Sequence, residues 1–83
     1  MKVVLLPQAQ EDLDSISEPA FSMLVRQIEA LGEFPEMGAV MIGPFSGYRS
    51  LVAGLFRIIY RLAPKGAVRI VYIRDCRRRP LAS

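Results

Sequence analysis

The sequence predicts an α+β domain in which two helices pack on one face of a mostly antiparallel, four-stranded sheet, in the order β-α-α-β-β-β. Three observations support this fold class: a short apolar strand at the start, helical periodicity over residues 8–31, and strand-like alternation from Tyr48 onward. The chain has 83 residues, so we expect residues 1–83 to form a single domain. Hydrophobic residues make up 52% of it, which is too many for a disordered protein.

Residues 2–31 are predicted to form one strand followed by two short antiparallel helices. Lys2–Leu6 is rich in Val and Leu, and Pro7 suits the first turn of a helix, where a missing N–H costs little. Ser17 is the predicted N-cap of the second helix, and Gly32 is its predicted C-cap. The apolar positions recur at helical spacing, so both helices should bury one face in the core. These positions are Ala9, Leu13, Ile16, Phe21, Leu24, Val25, Ile28 and Leu31.

The second half of the chain is predicted to be a loop followed by three strands. Residues 32–47 contain four glycines and two prolines, which indicates a connecting loop with at most a brief turn or strand at Val40–Ile42. Alternating apolar and polar residues then predict strands at Tyr48–Ala53, Leu55–Leu62 and Ala67–Arg74. The three strands should form antiparallel hairpins.

Alternation along these strands divides the sheet into an apolar face under the helices and an opposite face that carries arginines. On the apolar face it places Phe56, Ile58, Tyr60, Leu62, Val68, Ile70 and Tyr72. On the opposite face it places Arg57, Ile59, Arg61, Arg69, Val71 and Ile73.

The charges are distributed very unevenly along the chain, although the net charge is only +3. Residues 1–41 hold two basic and seven acidic residues, a net of −5, whereas residues 42–83 hold nine basic and one acidic residue, a net of +8. Arginine pairs bidentately with phosphate, and tyrosine rings stack on unpaired bases, so the basic half fits an RNA-binding face. Two other interpretations stay open: arginines paired with the chain's own acidic helices, and a docking face for an acidic polypeptide.

Several classes of protein are excluded or disfavoured by composition. The chain has no histidine and one cysteine, Cys76, so a zinc site, an internal disulfide and a Cys–His nucleophile are not expected. We therefore expect no metal and no cofactor. No apolar run approaches the roughly 18–20 residues that cross a bilayer, and the opening apolar run is too short for a signal peptide. A cytoplasmic protein without membrane contact is predicted.

Four segments resemble the RelE/ParE toxin superfamily. Tyr48–Leu62 is similar to the family's Tyr-Arg strand, glycine corner and aromatic-Arg-aliphatic-aliphatic-Tyr strand. Ala9–Leu13 resembles the first-helix signature, Leu31–Gly38 the helix-to-loop junction, and Val68–Ile73 the last strand. The resemblance covers nearly the whole chain, and the family's strand–helix–helix–three-strand order agrees with the order predicted from patterning.

The resemblance implies the toxin of a type II toxin–antitoxin system, a class linked to plasmid stabilization. Members of the family inhibit growth by cutting mRNA in the ribosomal A site, as mRNA interferases, or by poisoning DNA gyrase. The expected partners are a cognate antitoxin, whose small acidic segment wraps the toxin, and either the ribosome with its mRNA or gyrase. The short helical pair is similar to the ribonuclease branch, so a ribosome-dependent endoribonuclease is the first prediction.

The resemblance also implies roles for individual residues. Arg57 corresponds to a phosphate-stabilising arginine of the ribonuclease branch, and Arg77 or Arg78 to a second catalytic arginine near the C-terminus. The nucleic-acid-binding residues are then expected to be Tyr48, Arg49, Tyr60, Arg61 and Arg69.

The sequence departs from the ribonuclease pattern where a proton acceptor is expected. Many members carry His or Lys just after the last strand, where this chain has Asp75 or Cys76. The catalytic aromatic residue that often follows is replaced by Pro80–Ala82, and no aromatic residue follows Tyr72. These departures favour two alternatives: a ParE-like inhibitor of gyrase that cuts nothing, or a catalytically degenerate homologue that binds antitoxin.

Overall fold

The computed structural model describes residues 1–77 and confirms the α+β class, with two helices and a mostly antiparallel sheet. In chain order the elements are β1 (Lys2–Leu5), α1 (Pro7–Asp14), α2 (Ala20–Glu33), β2 (Ala39–Val40), a 3₁₀ turn (Gly43–Phe45), β3 (Arg49–Ala53), β4 (Phe56–Leu62) and β5 (Ala67–Asp75). The order across the sheet is β1-β5-β4-β3-β2, with β1 parallel to β5 and the other neighbours antiparallel.

The sheet has five strands, where the sequence predicted four. The additional strand is β2, which is only two residues long and lies in the predicted loop. Ala39 pairs with Ser50 and Val40 with Arg49, so β2 extends the sheet beyond β3. A two-residue strand leaves no alternation to detect, which is why patterning gave at most a brief strand nearby.

The ends of α2 differ from the predicted caps. The helix begins at Ala20 without a side-chain cap on its N-cap residue, so Ser17 does not have the predicted role. Instead, the Glu18 carboxylate accepts hydrogen bonds from the Ser22 amide (3.0 Å) and hydroxyl (2.7 Å), which places a negative charge at the helix start. At the other end, the helix continues through Gly32 to Glu33.

Gly32 has a packing role in place of the predicted capping role. A Cβ atom at this position would lie 3.0 Å from the Met1 carbonyl oxygen and 3.3 Å from Val3 Cγ2. The Met1 ammonium also donates to the Gly32 carbonyl oxygen at 2.6 Å. The missing side chain thus lets the start of β1 approach the last turn of α2.

The core lies between the two helices and one face of the sheet. The helical stripes predicted from periodicity supply five of its buried residues, and β3, β4 and β5 supply the rest. The buried core residues are Ala9, Leu13, Leu24, Ile28, Leu31, Ala53, Ile58, Tyr60, Val68, Ile70 and Ile73. Neither helix in the described part of the chain is long and apolar enough to span a membrane.

A β-bulge in the β4–β5 pair changes which side chains of β5 face the core. Ile59 lies opposite Tyr72, whereas Tyr60 lies opposite Ile70, so Val71 is an extra residue on β5. Ile73 is therefore buried (4% exposed), and Tyr72 shares the opposite face with Ile59. The predicted faces of Tyr72 and Ile73 were wrong, because strict alternation cannot reveal an inserted residue.

Candidate functional site

The sheet face away from the helices, here called the outer face, carries most of the chain's strand arginines in a regular grid. The cross-strand pairing forms three rows: Val52, Arg57 and Arg74 in one, Ser50, Ile59 and Tyr72 in the next, and Tyr48, Arg61 and Arg69 in the third. An apolar centre of Ile59 and Tyr72 thus separates two pairs of arginines.

Each arginine pair consists of directly opposed residues on neighbouring strands. Arg57 lies opposite Arg74, and Arg61 lies opposite Arg69. Like charges in this position destabilise a sheet, so their presence is costly to the fold and indicates a binding role. Side chains directly opposite have Cβ atoms about 5 Å apart, which allows two guanidinium groups to reach one anion.

Three of these arginines have no internal counterion. Arg57, Arg61 and Arg69 are exposed, and within residues 1–77 no carboxylate oxygen lies within 4.0 Å of their guanidinium nitrogens. Among the described arginines of the outer face, the alternative of pairing with the acidic helices therefore applies to Arg74 alone. Its Nη1 atom lies 3.9 Å from Asp12 Oδ1 on α1.

Two aromatic rings hold guanidinium groups on the outer face. The Arg74 guanidinium carbon lies 4.3 Å from the centroid of the Tyr72 ring, a close cation–π contact. The Arg61 guanidinium carbon lies 6.0 Å from the Tyr48 ring centroid, at the limit of such contacts. Tyr48 therefore lies beside the arginines, as the sequence predicted, and its half-buried ring helps to orient Arg61.

The spacing along β4 sets the distance between the two arginine pairs. Arg57 and Arg61 are four residues apart on one strand, which corresponds to about 13 Å at 3.3 Å per residue. The outer face can thus bind two anionic groups at that separation, with an apolar surface between them. A nucleic-acid backbone and an acidic polypeptide segment both offer such a pattern.

Arg49 does not belong to this face, contrary to the prediction from sequence. It lies opposite Tyr60, which points into the core, so its side chain is on the helical side of the sheet. Its Nη1 atom donates to the carbonyl oxygens of Gly38 (2.9 Å) and Glu36 (3.2 Å). Arg49 therefore holds the segment before β2 against the sheet.

Tyr60 was predicted to stack on nucleic acid, and the structure corrects this assignment. The residue is fully buried, and its hydroxyl donates to the Pro35 carbonyl oxygen at 2.8 Å and accepts from the Gly38 amide at 2.9 Å. A ring enclosed in the core cannot contact bases, so Tyr60 has a structural role.

Arg77, predicted as catalytic, is bound by a neighbouring carboxylate. Its Nε and Nη2 atoms donate to Asp75 Oδ1 (3.0 Å) and Oδ2 (2.7 Å), and these hydrogen bonds raise the pKa of Arg77 above its ordinary value. Arg77 thus has a carboxylate partner within residues 1–77, unlike Arg57. Arg78, the other predicted catalytic arginine, lies outside the described residues.

Arg74 and Tyr72 are members of the outer face that the sequence did not assign to the site. The bulge at Val71 hides them, because it reverses the alternation of β5 after Ile70. Arg74 could have been assigned to the site from its position opposite Arg57. That position follows from the register of β4 and β5, which the sequence pattern alone does not reveal.

The outer face contains no carboxylate among the residues that the structure describes. The nearest ones lie at the end of β5, where Asp12 Oδ2 accepts the Ile73 amide (3.0 Å) and Asp75 binds Arg77. A cleft of about 450 Å³ between the α1–α2 connection and the ends of β4 and β5 collects these side chains together with Glu18. Its mixed charges contrast with the purely basic outer face.

Comparison with known proteins agrees with the resemblance found in the sequence. A family model described as the ParE toxin of the type II toxin–antitoxin system parDE matches residues 3–80. None of the curated proteins matches the chain.

Solved structures share the fold at low sequence identity. The RelBE2 toxin–antitoxin complex from Mycobacterium tuberculosis contains a chain with a TM-score of 0.83 and 21% identity, covering 89% of this chain and 95% of that one. The isolated E. coli RelE toxin matches with a TM-score of 0.77 and 12% identity, covering 98% of this chain and 89% of that one. The chromosomal ParDE TA system from P. aeruginosa contains a chain that matches with a TM-score of 0.75 and 21% identity, covering 90% of this chain and 95% of that one. Because the family model spans nearly the whole sequence, this chain belongs to the ParE toxins, within the RelE/ParE superfamily of type II toxin–antitoxin toxins.

Proposed function

We propose that this toxin arrests growth by binding rather than by cutting, as a ParE-like inhibitor of DNA gyrase. The observation that carries this proposal is a strongly basic outer face without a proton acceptor among residues 1–77. Cleavage of RNA by its own 2′-hydroxyl is accelerated when a positioned group removes the proton, and the described residues of this face include neither histidine nor a carboxylate. The match to the ParE family model supports the same choice.

The outer face would act as the contact surface for the target. Arginine remains charged at every working pH, so Arg57, Arg61 and Arg69 would attract an anionic surface on gyrase or on its bound DNA. Ile59 and Tyr72 would supply apolar contact between the charged pairs, and such a centre with a charged rim is typical of protein interfaces.

A cognate antitoxin is the second proposed partner. Relatives of known structure were crystallised as RelBE toxin–antitoxin complexes. For this chain we propose that an acidic antitoxin segment covers the outer face and so competes with the target. Charge complementarity of this kind speeds association and is screened by salt.

A ribosome-dependent endoribonuclease is the second candidate function. The opposed arginine pairs favour it, because guanidinium groups can stabilise the charge that develops on a scissile phosphate without moving a proton. Their spacing of about 13 Å along β4 also suits two phosphates of one RNA strand.

Parallel assays of the purified, full-length protein test the proposal. We expect inhibition of gyrase supercoiling and intact mRNA on programmed ribosomes. Cut mRNA at the A site with unaffected supercoiling would establish the endoribonuclease instead. Inactivity in both assays, together with normal growth on induction without antitoxin, would leave an inert antitoxin-binding homologue.

A further inference from the structure

The edge of the sheet at β2 lacks the charged side chains that commonly prevent edge strands from pairing with other chains. Met37–Tyr48, here called the edge segment, contains twelve residues and no charged one. Val40 is 63% exposed and Ile42 is 85% exposed, so two β-branched apolar side chains point into solvent. Natural edge strands usually carry charges, so an uncharged, apolar edge indicates a partner.

The backbone of the edge segment is prepared for a further strand. Met41 donates its amide to the Tyr48 carbonyl oxygen at 2.9 Å, and Val40 lies opposite Arg49. Because bonded groups alternate along an antiparallel strand, the N–H and C=O of Val40 and the N–H of Ile42 point away from β3. Ile42 is also extended, with φ of −119° and ψ of 172°.

The occupant that fits this edge is a second copy of the same chain. Two-fold pairing requires a surface that complements itself, and an uncharged strand meets its own copy without like-charge repulsion. Exposed apolar residues also flank Met41 on both sides, with Val40 one residue before it and Ile42 one residue after it. An acidic antitoxin segment would instead be drawn to the arginines of the outer face.

We propose that the toxin forms a homodimer in which Val40–Ile42, the end of β2 and the two residues that follow it, pairs antiparallel with the same segment of a second copy, centred on Met41. In this register Val40 of each copy lies opposite Ile42 of the other. The Ile42 amide of each copy donates a hydrogen bond to the Val40 carbonyl oxygen of the other, so this bond forms twice by symmetry. The dimer joins two five-stranded sheets into one continuous sheet. Because the two-fold axis is perpendicular to that sheet, both outer faces lie on the same side.

The mass of the purified toxin across a dilution series tests the dimer. We expect a concentration-dependent change from twice the chain mass to the chain mass. Ile42→Lys should raise the dissociation constant by about tenfold or more, since it places two like charges diagonally across the two-fold on the same face of the sheet. Leu55→Lys is the matched control, because Leu55 is 52% exposed at the β3–β4 turn and should leave the constant unchanged. A monomer at every concentration, or a dimer that tolerates Ile42→Lys as well as the control, would overturn the proposal.

A cross-linking experiment tests the register independently. In the proposed dimer, Met41 lies directly opposite Met41 of the second copy, and the two form a non-hydrogen-bonded pair. The short separation between their Cβ atoms suits a disulfide. In a Cys76→Ser background, Met41→Cys should form a covalent dimer under mild oxidation, whereas Leu55→Cys should not. Equal cross-linking of the two variants would contradict pairing about Met41.

Discussion

Tyr60 shows how one buried hydroxyl fixes the path of a long loop. Its ring lies in the core on β4, while its oxygen bonds both the Pro35 carbonyl and the Gly38 amide. Gly38 must lack a side chain, since a Cβ atom there would lie 2.6 Å from the Tyr60 hydroxyl oxygen. Arg49 binds the Gly38 carbonyl from the other side of the peptide, so the chain reaches β2 in a single defined path.

Tyr60→Phe should therefore destabilise the toxin more than its one-atom change suggests. The Gly38 amide would lose its partner inside the protein, which costs about 1–3 kcal/mol. The free energy of unfolding in urea measures this loss. Tyr72→Phe is the control, because within residues 1–77 the Tyr72 hydroxyl makes no hydrogen bond, and we expect its effect to stay within about 0.5 kcal/mol.

Arg57→Ala should reduce growth arrest, since Arg57 is exposed on the outer face and has no counterion among residues 1–77. We expect toxicity on induction, and inhibition of the target by purified protein, to fall by about tenfold or more. Arg26→Ala removes the same charge from the exposed side of α2 and should leave toxicity unchanged. Equal effects of the two variants would mean that only total charge matters.

The Glu18 carboxylate should titrate below its ordinary value. Hydrogen bonds from the Ser22 hydroxyl and amide lower the pKa of Glu18 from 4.5, with a smaller contribution from Arg26. A lowered pKa in the folded state means that the stabilising contribution is present above the unfolded-state pKa and is lost as pH falls through the folded-state pKa. NMR titration of the carboxyl group should show an upward shift in Ser22→Ala, and an unchanged pKa there would refute this cause.

At the scale of elements, the two directly opposed arginine pairs of β4 and β5 carry a cost to the fold. Arg61 and Arg69 lie directly opposite each other, so their repulsion opposes strand pairing. Arg69→Gln should therefore stabilise the fold by about 0.2–1 kcal/mol at low salt while weakening target binding. The gain should shrink in high salt, because exposed charges are screened, and Arg26→Gln should show no comparable gain. Destabilisation by Arg69→Gln at low salt would contradict the repulsion.

The elements that the sequence predicted well are those with long, regular patterns. Both helical stripes and the β3–β4 hairpin follow from periodicity, because burial of one face repeats along each element. The remaining differences come from tertiary contacts. Gly32 lies inside a helix, where its missing side chain lets Met1 approach closely. β2 follows a loop that hydrogen bonds from Arg49 and Tyr60 hold in place.

The site could be predicted only in part for a similar reason. Arg57, Arg61 and Arg69 follow from alternation before the bulge, and the structure places them together on one face. Arg49 occupies the face that alternation gives to Tyr60 and thus turns away from them. Arg74 joins them only because Val71 is inserted, and nothing in the local sequence distinguishes Val71 from its neighbours.

At the scale of the whole molecule, the sheet separates two surfaces of opposite charge. The exposed acids of α1 and α2 lie on one side, and the outer-face arginines lie on the other. An uneven distribution of this kind orients a charged partner before contact, beyond what a net charge of +3 would do.

Cation-exchange chromatography should detect the concentrated positive charge of the outer face. A variant with Arg57, Arg61 and Arg69 changed to Gln and a variant with Lys2, Arg26 and Lys65 changed to Gln both lose three charges, from +3 to 0. We expect the first to elute at clearly lower salt, because it removes the concentrated patch. Identical elution of the two would show that the outer face has no special potential.

The parallel pairing of β1 with β5 also has a consequence for synthesis. β1 leaves the ribosome well before its neighbour in the sheet, β5, which spans Ala67–Asp75, and Lys2 lies opposite Ala67. Pairing so distant in sequence is formed late, since the loop must close before any contact rewards it. β5 also carries Arg69 and Arg74, one member of each arginine pair. A nascent chain that stops before residue 67 therefore cannot present the outer face, because it lacks both β5 arginines.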